Sequence, residues 1–333
     1  MKALIIQTAF IGDVILATPV ISELHRCRPD LQTDVLVRKG NESLLDNFAG
    51  INRVLTWDKK TNKNRNLFLL LQHLRDEQYD LVINLQRFLS TGLLTAFGKA
   101  SEKIGFDKNP MSFFFTKKIK HRIGGNTSSL HETQRNLRLI EHLGASLSAR
   151  PVLFPSQNDY AHTNQYKKQS YVCIAPTSVW FTKQVPNSKW AELLSSIRSA
   201  GFSGPVYLLG GPADASSCQQ LINQAKEKNI HNLAGKLSFL ETAALMKDAS
   251  MNYVNDSAPM HIASSMNAPV TVFYCSTIPA FGFGPLSDKK YIHEVSHLPC
   301  RPCGLHGYKA CPERHFKCAF QLDMTVNSVH INA

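Results

Sequence analysis

No apolar run in this chain reaches the roughly 18–20 residues that a helix needs to cross a bilayer, so no membrane span is expected. The apolar start, "MKALIIQTAFIGD", lacks a small-residue cleavage site of the signal-peptide kind and reads as a strand. The expectation is a cytoplasmic protein whose membrane contact is peripheral. Acid is scarce: 25 Asp and Glu face 37 Lys and Arg, a net charge of +12 over 333 residues. Such a surface attracts nucleic acid, acidic lipid headgroups or phosphorylated substrates, and the charge alone does not choose among them. Nucleic acid is not expected, because the lysines sit in separate segments and form no basic stripe with interleaved aromatics. The segments "KKTNKNR" (59–65), "KKIKHR" (117–122) and "QYKKQ" (165–169) read as solvated loops. No G-x-G-x-x-G follows either candidate first strand, and "FGFGP" (281–285) lacks the strand-then-helix setting of a nicotinamide-dinucleotide site. Short repeats and low-complexity tracts are also missing.

What the chain does have is a 43% hydrophobic composition with 19% charged residues, enough to bury one large or two medium cores. Short apolar runs at 2–8, 33–37, 53–57 and 80–85 read as buried parallel strands. Helical patterns lie between them at 12–27, 41–50 and 66–78, and a further long helix is expected over 129–145, closed by Gly144. A polar, Pro-containing stretch (148–170) is the best boundary. Alternation resumes after it, with strands at 171–176, 205–211, 231–235, 251–256 and 269–274. The reading is α/β: two Rossmann-like, doubly wound domains, 1–155 and 156–333. Ligands bind such sheets outside the carboxyl ends of their strands, so functional residues belong just after strands.

Asp13, in "FIGDVILATP" (10–19), stands at such an end beside Gly12. It is either a helix cap or a general base held ionised near a helix N-terminus. Pro19, two turns on, should bend the helix. In the second half, "TSVWFTKQVP" (177–186) offers the hydroxyls of Thr177, Ser178 and Thr182 with the cation Lys183, a set suited to a diphosphate. Gly210 and Gly211 either admit a ligand close to the backbone or make a strand-to-helix turn. The richest loop is "NDSAPMHIASS" (255–265). Asp256 and Ser257 end a strand, Pro259 fits a first helical turn, and the helix start that includes His261 presents N–H groups to an anion.

These stretches, "IGDVILATP", "LLGGPAD", "LAGKLSFLETAALM" and above all "NDSAPMHIASSMNAPVTVFY", occur in order from residue 4 to about 318 and together resemble glycosyltransferase family 9. These are the bacterial ADP-heptose:lipopolysaccharide heptosyltransferases. The resemblance implies a GT-B architecture with two domains facing across a cleft, the N-terminal one for the acceptor and the C-terminal one for the nucleotide sugar. It implies an inverting transferase that needs no cofactor for catalysis, with ADP-heptose as donor and a lipid-linked saccharide of the lipopolysaccharide core as acceptor. Asp13 matches the family's catalytic base, and no second acid is needed because a nucleoside diphosphate leaves without one. Lys183, Thr177, Ser178, Gly210, Gly211, Asp256, Ser257, Ala258, Met260 and His261 become donor contacts. Gly12, Arg87, Lys103 and Arg122 become candidate acceptor contacts. A monomer, cytoplasmic or peripheral to the inner membrane, is expected. The chain departs from the family pattern at Ala258, where glycine is usual, and at "CSTIPAFGFGP" (275–285), where G-P-T-x-P is commoner. Two alternatives stay open: a different nucleotide sugar in the same family, or a GT-B-like sugar-nucleotide epimerase.

Four of the eight cysteines cluster in "CRPCGLHGYKACPERHFKC" (300–318). Cys300, Cys303, Cys311 and Cys318 are candidates for a structural zinc site, against free thiols or a disulfide formed on purification.

Overall fold

The computed structural model describes residues 1–123 and 130–326. The chain divides into two compact units, Met1–Phe154 and Pro155–Ala333.

The N-terminal unit is built on a six-stranded parallel sheet. Its strands are β1 (Lys2–Gln7), β2 (Gln32–Arg38), β3 (Ile51–Trp57), β4 (Tyr79–Asn84), β5 (Ala100–Phe106) and β6 (Lys117–Ile119), in the order β3-β2-β1-β4-β5-β6. The central strand β1 is buried on both faces from Ala3 to Gln7, which is why it reads as an unbroken apolar run. Its helices are α1 (Ile11–Ile15), α2 (Thr18–Cys27), α3 (Lys63–Glu77), α4 (Leu89–Phe97) and α5 (Glu132–Leu137).

The C-terminal unit repeats the plan with β7 (Val172–Ala175), β8 (Val206–Leu208), β9 (Ile230–Asn232), β10 (Met251–Asn255), β11 (Val270–Tyr274) and β12 (Lys290–Glu294). The order β12-β11-β10-β7-β8-β9 is the same winding counted from β7. Its helices are α6 (Gln157–Thr163), α7 (Asn187–Ser199), α8 (Ala215–Ala225), α9 (Phe239–Lys247), α10 (Ala258–Ser265) and α11 (Lys317–Phe320). Trp190 of α7 is wholly buried and meets Phe273 of β11 edge-on at 5.3 Å, locking helix to sheet. In both units the strand order reverses beside the central strand (β1/β4 and β7/β10), the place where doubly wound sheets hold ligands.

Several sequence expectations are corrected. The single bent helix over 12–27 is two helices, because Pro19 lacks the N–H that a continuing helix requires and instead fits the first turn of α2. The expected helix over 41–50 is a single 3₁₀ turn, Glu42–Leu45. Among the described residues of the expected helix over 129–145 there are only α5 and a 3₁₀ turn, Glu141–Leu143, which ends at Gly144 with φ +90°; Ser129 lies outside the described residues. Two segments read as solvated loops are ordered: Lys117–Ile119 forms β6, and Lys59 is half-buried. No helix among the described residues is long and apolar enough to cross a membrane.

Candidate functional site

In the N-terminal unit the turn after β1 carries Asp13. Asp13 is the third residue of α1, and its Oδ2 accepts the N–H of Phe10 at 3.1 Å, the contact of a helix cap. The neighbouring strand ends hold this turn from several sides. Thr8 Oγ1 donates to Gln86 Oε1 beyond β4 at 2.7 Å. Asn41 Nδ2, beyond β2, donates to the Ala9 carbonyl at 3.1 Å. Lys59 Nζ, beyond β3, donates to the Thr8 carbonyl at 2.6 Å. The Lys59 ammonium also lies 4.5 Å from the centre of the Trp57 ring. Burial, with the like charges of Arg38 and Lys63, pushes its pKa down to about 8. Sequence reasoning missed Lys59 because a lysine in "KKTNKNR" carries no local mark of burial.

The candidate acceptor residues are dispersed. Gly12 lies in α1 next to Asp13, and Arg87 follows Gln86 beyond β4. Lys103 sits within β5, where its Nζ donates to the Ala96 carbonyl near the end of α4 at 2.7 Å, so its charge serves a helix C-terminus. Arg122 is exposed beyond β6.

In the C-terminal unit, three strand-end loops converge. Lys183, beyond β7, meets Asp256, beyond β10, with Nζ 2.7 Å from Oδ2; their side chains are 18% and 6% exposed. Thr277, beyond β11, donates its hydroxyl to the same Oδ2 at 2.5 Å. Asn255 links the loops by accepting the Val185 N–H at 3.0 Å while donating to the carbonyls of Ala175 and Thr177 at 3.3 Å. Ser257 is the extended N-cap of α10 and Pro259 stands in its first turn. Ala258 is the first helical residue, a position that accommodates its Cβ.

Other predicted donor contacts are placed differently. Met260 is wholly buried, its sulfur near the Tyr274 hydroxyl at 3.3 Å and its N–H spent on the Ser257 carbonyl, so the structure gives it a packing role. His261 is buried in α10. Thr177 and Ser178 are half-buried, with the Ser178 N–H donated to Gln184 Oε1 at 3.0 Å. Gly210 and Gly211 form the turn reading: a Cβ on Gly210 would stand 2.8 Å from Asp214 Cβ, and Gly211 N–H bonds Asp214 Oδ2 at 2.8 Å.

The cysteine-rich segment braces this site. Arg301 Nε donates to the Cys275 carbonyl at 2.6 Å and Nη2 to the Thr277 carbonyl at 2.7 Å; Nη2 also pairs with Glu294 Oε2 at 2.6 Å. Cys303 N–H bonds the Ser276 carbonyl at 3.0 Å. Tyr308 N–H donates to Thr182 Oγ1 at 2.8 Å, and Thr182 N–H returns to the Tyr308 carbonyl at 3.1 Å. Thr182, a predicted ligand hydroxyl, is thus buried and structural. The zinc expectation is not supported: among the described residues no group of three or more His, Cys, Asp or Glu is arranged to hold a metal. The reason is local. Cys318 turns into the hydrophobic core, where burial pushes its thiol up to about 12, and Cys303 Sγ bonds the Cys300 carbonyl at 3.3 Å.

Comparison with known proteins shows the family and the fold. The family model described as "Glycosyltransferase family 9 (heptosyltransferase)" matches residues 67–310. Two proteins named "Lipopolysaccharide heptosyltransferase 3" are similar, one from Escherichia coli strain K12 at 30% identity and another from Escherichia coli at 29%. The alignments cover 80% of this chain in both cases, and 80% and 82% of those proteins. A solved structure titled "Structure of E. coli ADP-heptose lps heptosyltransferase II" superposes with a TM-score of 0.75 at 20% identity, covering 96% of this chain and 98% of that one, which shows the shared GT-B fold.

Proposed function

This chain belongs to glycosyltransferase family 9, the heptosyltransferases, and we propose that it transfers a heptose from ADP-heptose to a lipopolysaccharide-core acceptor with inversion. The enzyme is a glycosyltransferase, so the epimerase alternative falls away. The observation that carries the donor assignment is the meeting of Lys183, Asp256 and Thr277 on three adjacent strand ends beside the start of α10.

In the proposed reaction the Asp13 carboxylate takes the proton of an acceptor hydroxyl as that oxygen forms a bond to the anomeric carbon. The bond from that carbon to the diphosphate oxygen breaks, and the electron pair leaves with ADP. Lys183 and the N–H groups at the start of α10 receive the growing negative charge. Asp256, held by Lys183 and Thr277, faces sugar hydroxyls. The relatives' names support the acceptor class.

The test is turnover of ADP-heptose by wild type and Asp13→Asn, with calorimetric binding of ADP, UDP and GDP. The expected result is selective ADP binding by both proteins and a loss of about 10²–10⁴ in kcat for the variant. Unchanged turnover would return Asp13 to its capping contact alone. Equal binding of all three nucleotides would remove the ADP-sugar assignment.

A further inference from the structure

The outer face of α4 is apolar. Leu89, Leu93 and Phe97 recur every fourth residue on it, the spacing of a stripe that normally faces a core. Here Leu89 and Phe97 are exposed, while Thr91, Leu94, Thr95 and Ala96 face the sheet. The 3₁₀ turn Ser112–Phe114 widens the stripe: Phe114 packs on Phe97 at 5.5 Å between ring centres, and Phe113 on Phe114 at 4.4 Å. Phe113 is 76% exposed, and Phe88 at the head of the helix is exposed as well. The platform is fixed. Asn109 Nδ2 donates to the carbonyls of Gln86 and Phe88, and Gly92 lets the turn close down, since a Cβ there would stand 2.1 Å from Asn109 Oδ1.

The segment of chain that carries this patch is strongly basic. Between residues 85 and 122 there are eight Lys and Arg against two acids, half of the chain's net +12. Both acids are engaged, Asp107 Oδ1 by the His121 N–H at 2.9 Å and Glu102 Oε1 by His142 Nε2 at 3.3 Å. Lys99, Lys108, Lys118, Lys120 and Arg122 are exposed. Bulky aromatics set among free cations match a surface that is apolar beneath and anionic on top.

We propose that this face of the N-terminal unit docks onto an anionic lipid bilayer, with Phe113, Phe114, Phe97 and Leu89 entering the headgroup–acyl boundary and the surrounding lysines meeting lipid phosphates. Binding of this kind scales with buried apolar area plus attraction to anionic lipid. It adds to the proposed function a surface for the membrane contact, and its test contains no sugar, so either can fail without the other.

The experiment is flotation of the full chain with vesicles of phosphatidylcholine alone and of phosphatidylcholine with about 30% phosphatidylglycerol. The expected result is binding to the anionic vesicles only, weakened by salt. Phe113→Ser/Phe114→Ser should lower the partition coefficient about tenfold or more without a change in melting temperature. Phe68→Ser, an exposed aromatic on α3, should leave it unchanged. No binding by wild type, equal binding to neutral vesicles, or full binding by the double variant would each overturn the proposal. A double variant that turned a dimer into a monomer while keeping its lipid binding would make the face a subunit interface instead.

Discussion

The Lys183 ammonium and the Asp256 carboxylate form a 2.7 Å ion pair whose anionic side is almost wholly buried. Neither residue is near the other in sequence; the parallel order of β7 and β10 brings their loops together. Removing one partner of such a pair strands the other's charge. Lys183→Ala should therefore lower unfolding free energy by about 2–3 kcal/mol in urea titration, less than for a fully enclosed pair because the lysine keeps some water. Lys183→Ala/Asp256→Asn should recover part of that stability without recovering turnover.

Arg301 acts on this pair through the backbone. It holds the Cys275 and Thr277 carbonyls, and Thr277 in turn donates to Asp256. Arg301→Met should raise the KM for the donor several-fold more than it lowers kcat. Arg301→Lys, which keeps the charge but not the forked geometry, should restore only part of the loss. Steady-state kinetics with varied donor separates the two.

Lys59 carries a pH signature. Its folded pKa of about 8 lies below the ordinary 10.5, chiefly through burial and then through Arg38 and Lys63. The charged form is therefore the one the fold disfavours. The penalty is fully present below pH 8 and is relieved as pH rises toward 10.5. Wild type should gain roughly 2 kcal/mol relative to Lys59→Met across that window, as read by denaturant unfolding at each pH.

Glu132 gives the opposite dependence. Burial raises its pKa, but the His121 imidazole, its Nε2 3.8 Å from Oε2, and the charge of Arg135 overcome this and bring it to about 2. The Arg135 Nε to Glu132 Oε2 distance is 2.7 Å. A carboxyl lowered in the folded state contributes stability above its ordinary pKa and loses it as pH falls toward 2. Unfolding of wild type between pH 4.5 and 2 should show a loss on the order of 2–3 kcal/mol that Glu132→Gln lacks.

The central strands were legible because burial on both faces leaves an unbroken apolar run, as in "ALII" of β1 and "VTVFY" of β11. The edges were not. β12, "KYIHE", alternates between exposed and half-buried positions, and β6 is three residues long. Family motifs led to Asp256 and Lys183, yet nothing local marked Thr277 or Arg301, whose roles exist only once distant loops meet. Met260 shows the converse: it lies inside a motif, but the helical turn sends its side chain into the core.

The brace on the strand-end loops of the C-terminal unit comes late in the chain. Both sheets can be complete once β12 has emerged, but Arg301, Cys303 and Tyr308 come after it. A ribosome therefore finishes the scaffold before it supplies the residues that hold Thr277 and Thr182 in register. Until that segment has emerged, both sheets can stand while the loops that carry Thr277 and Thr182 lack these contacts.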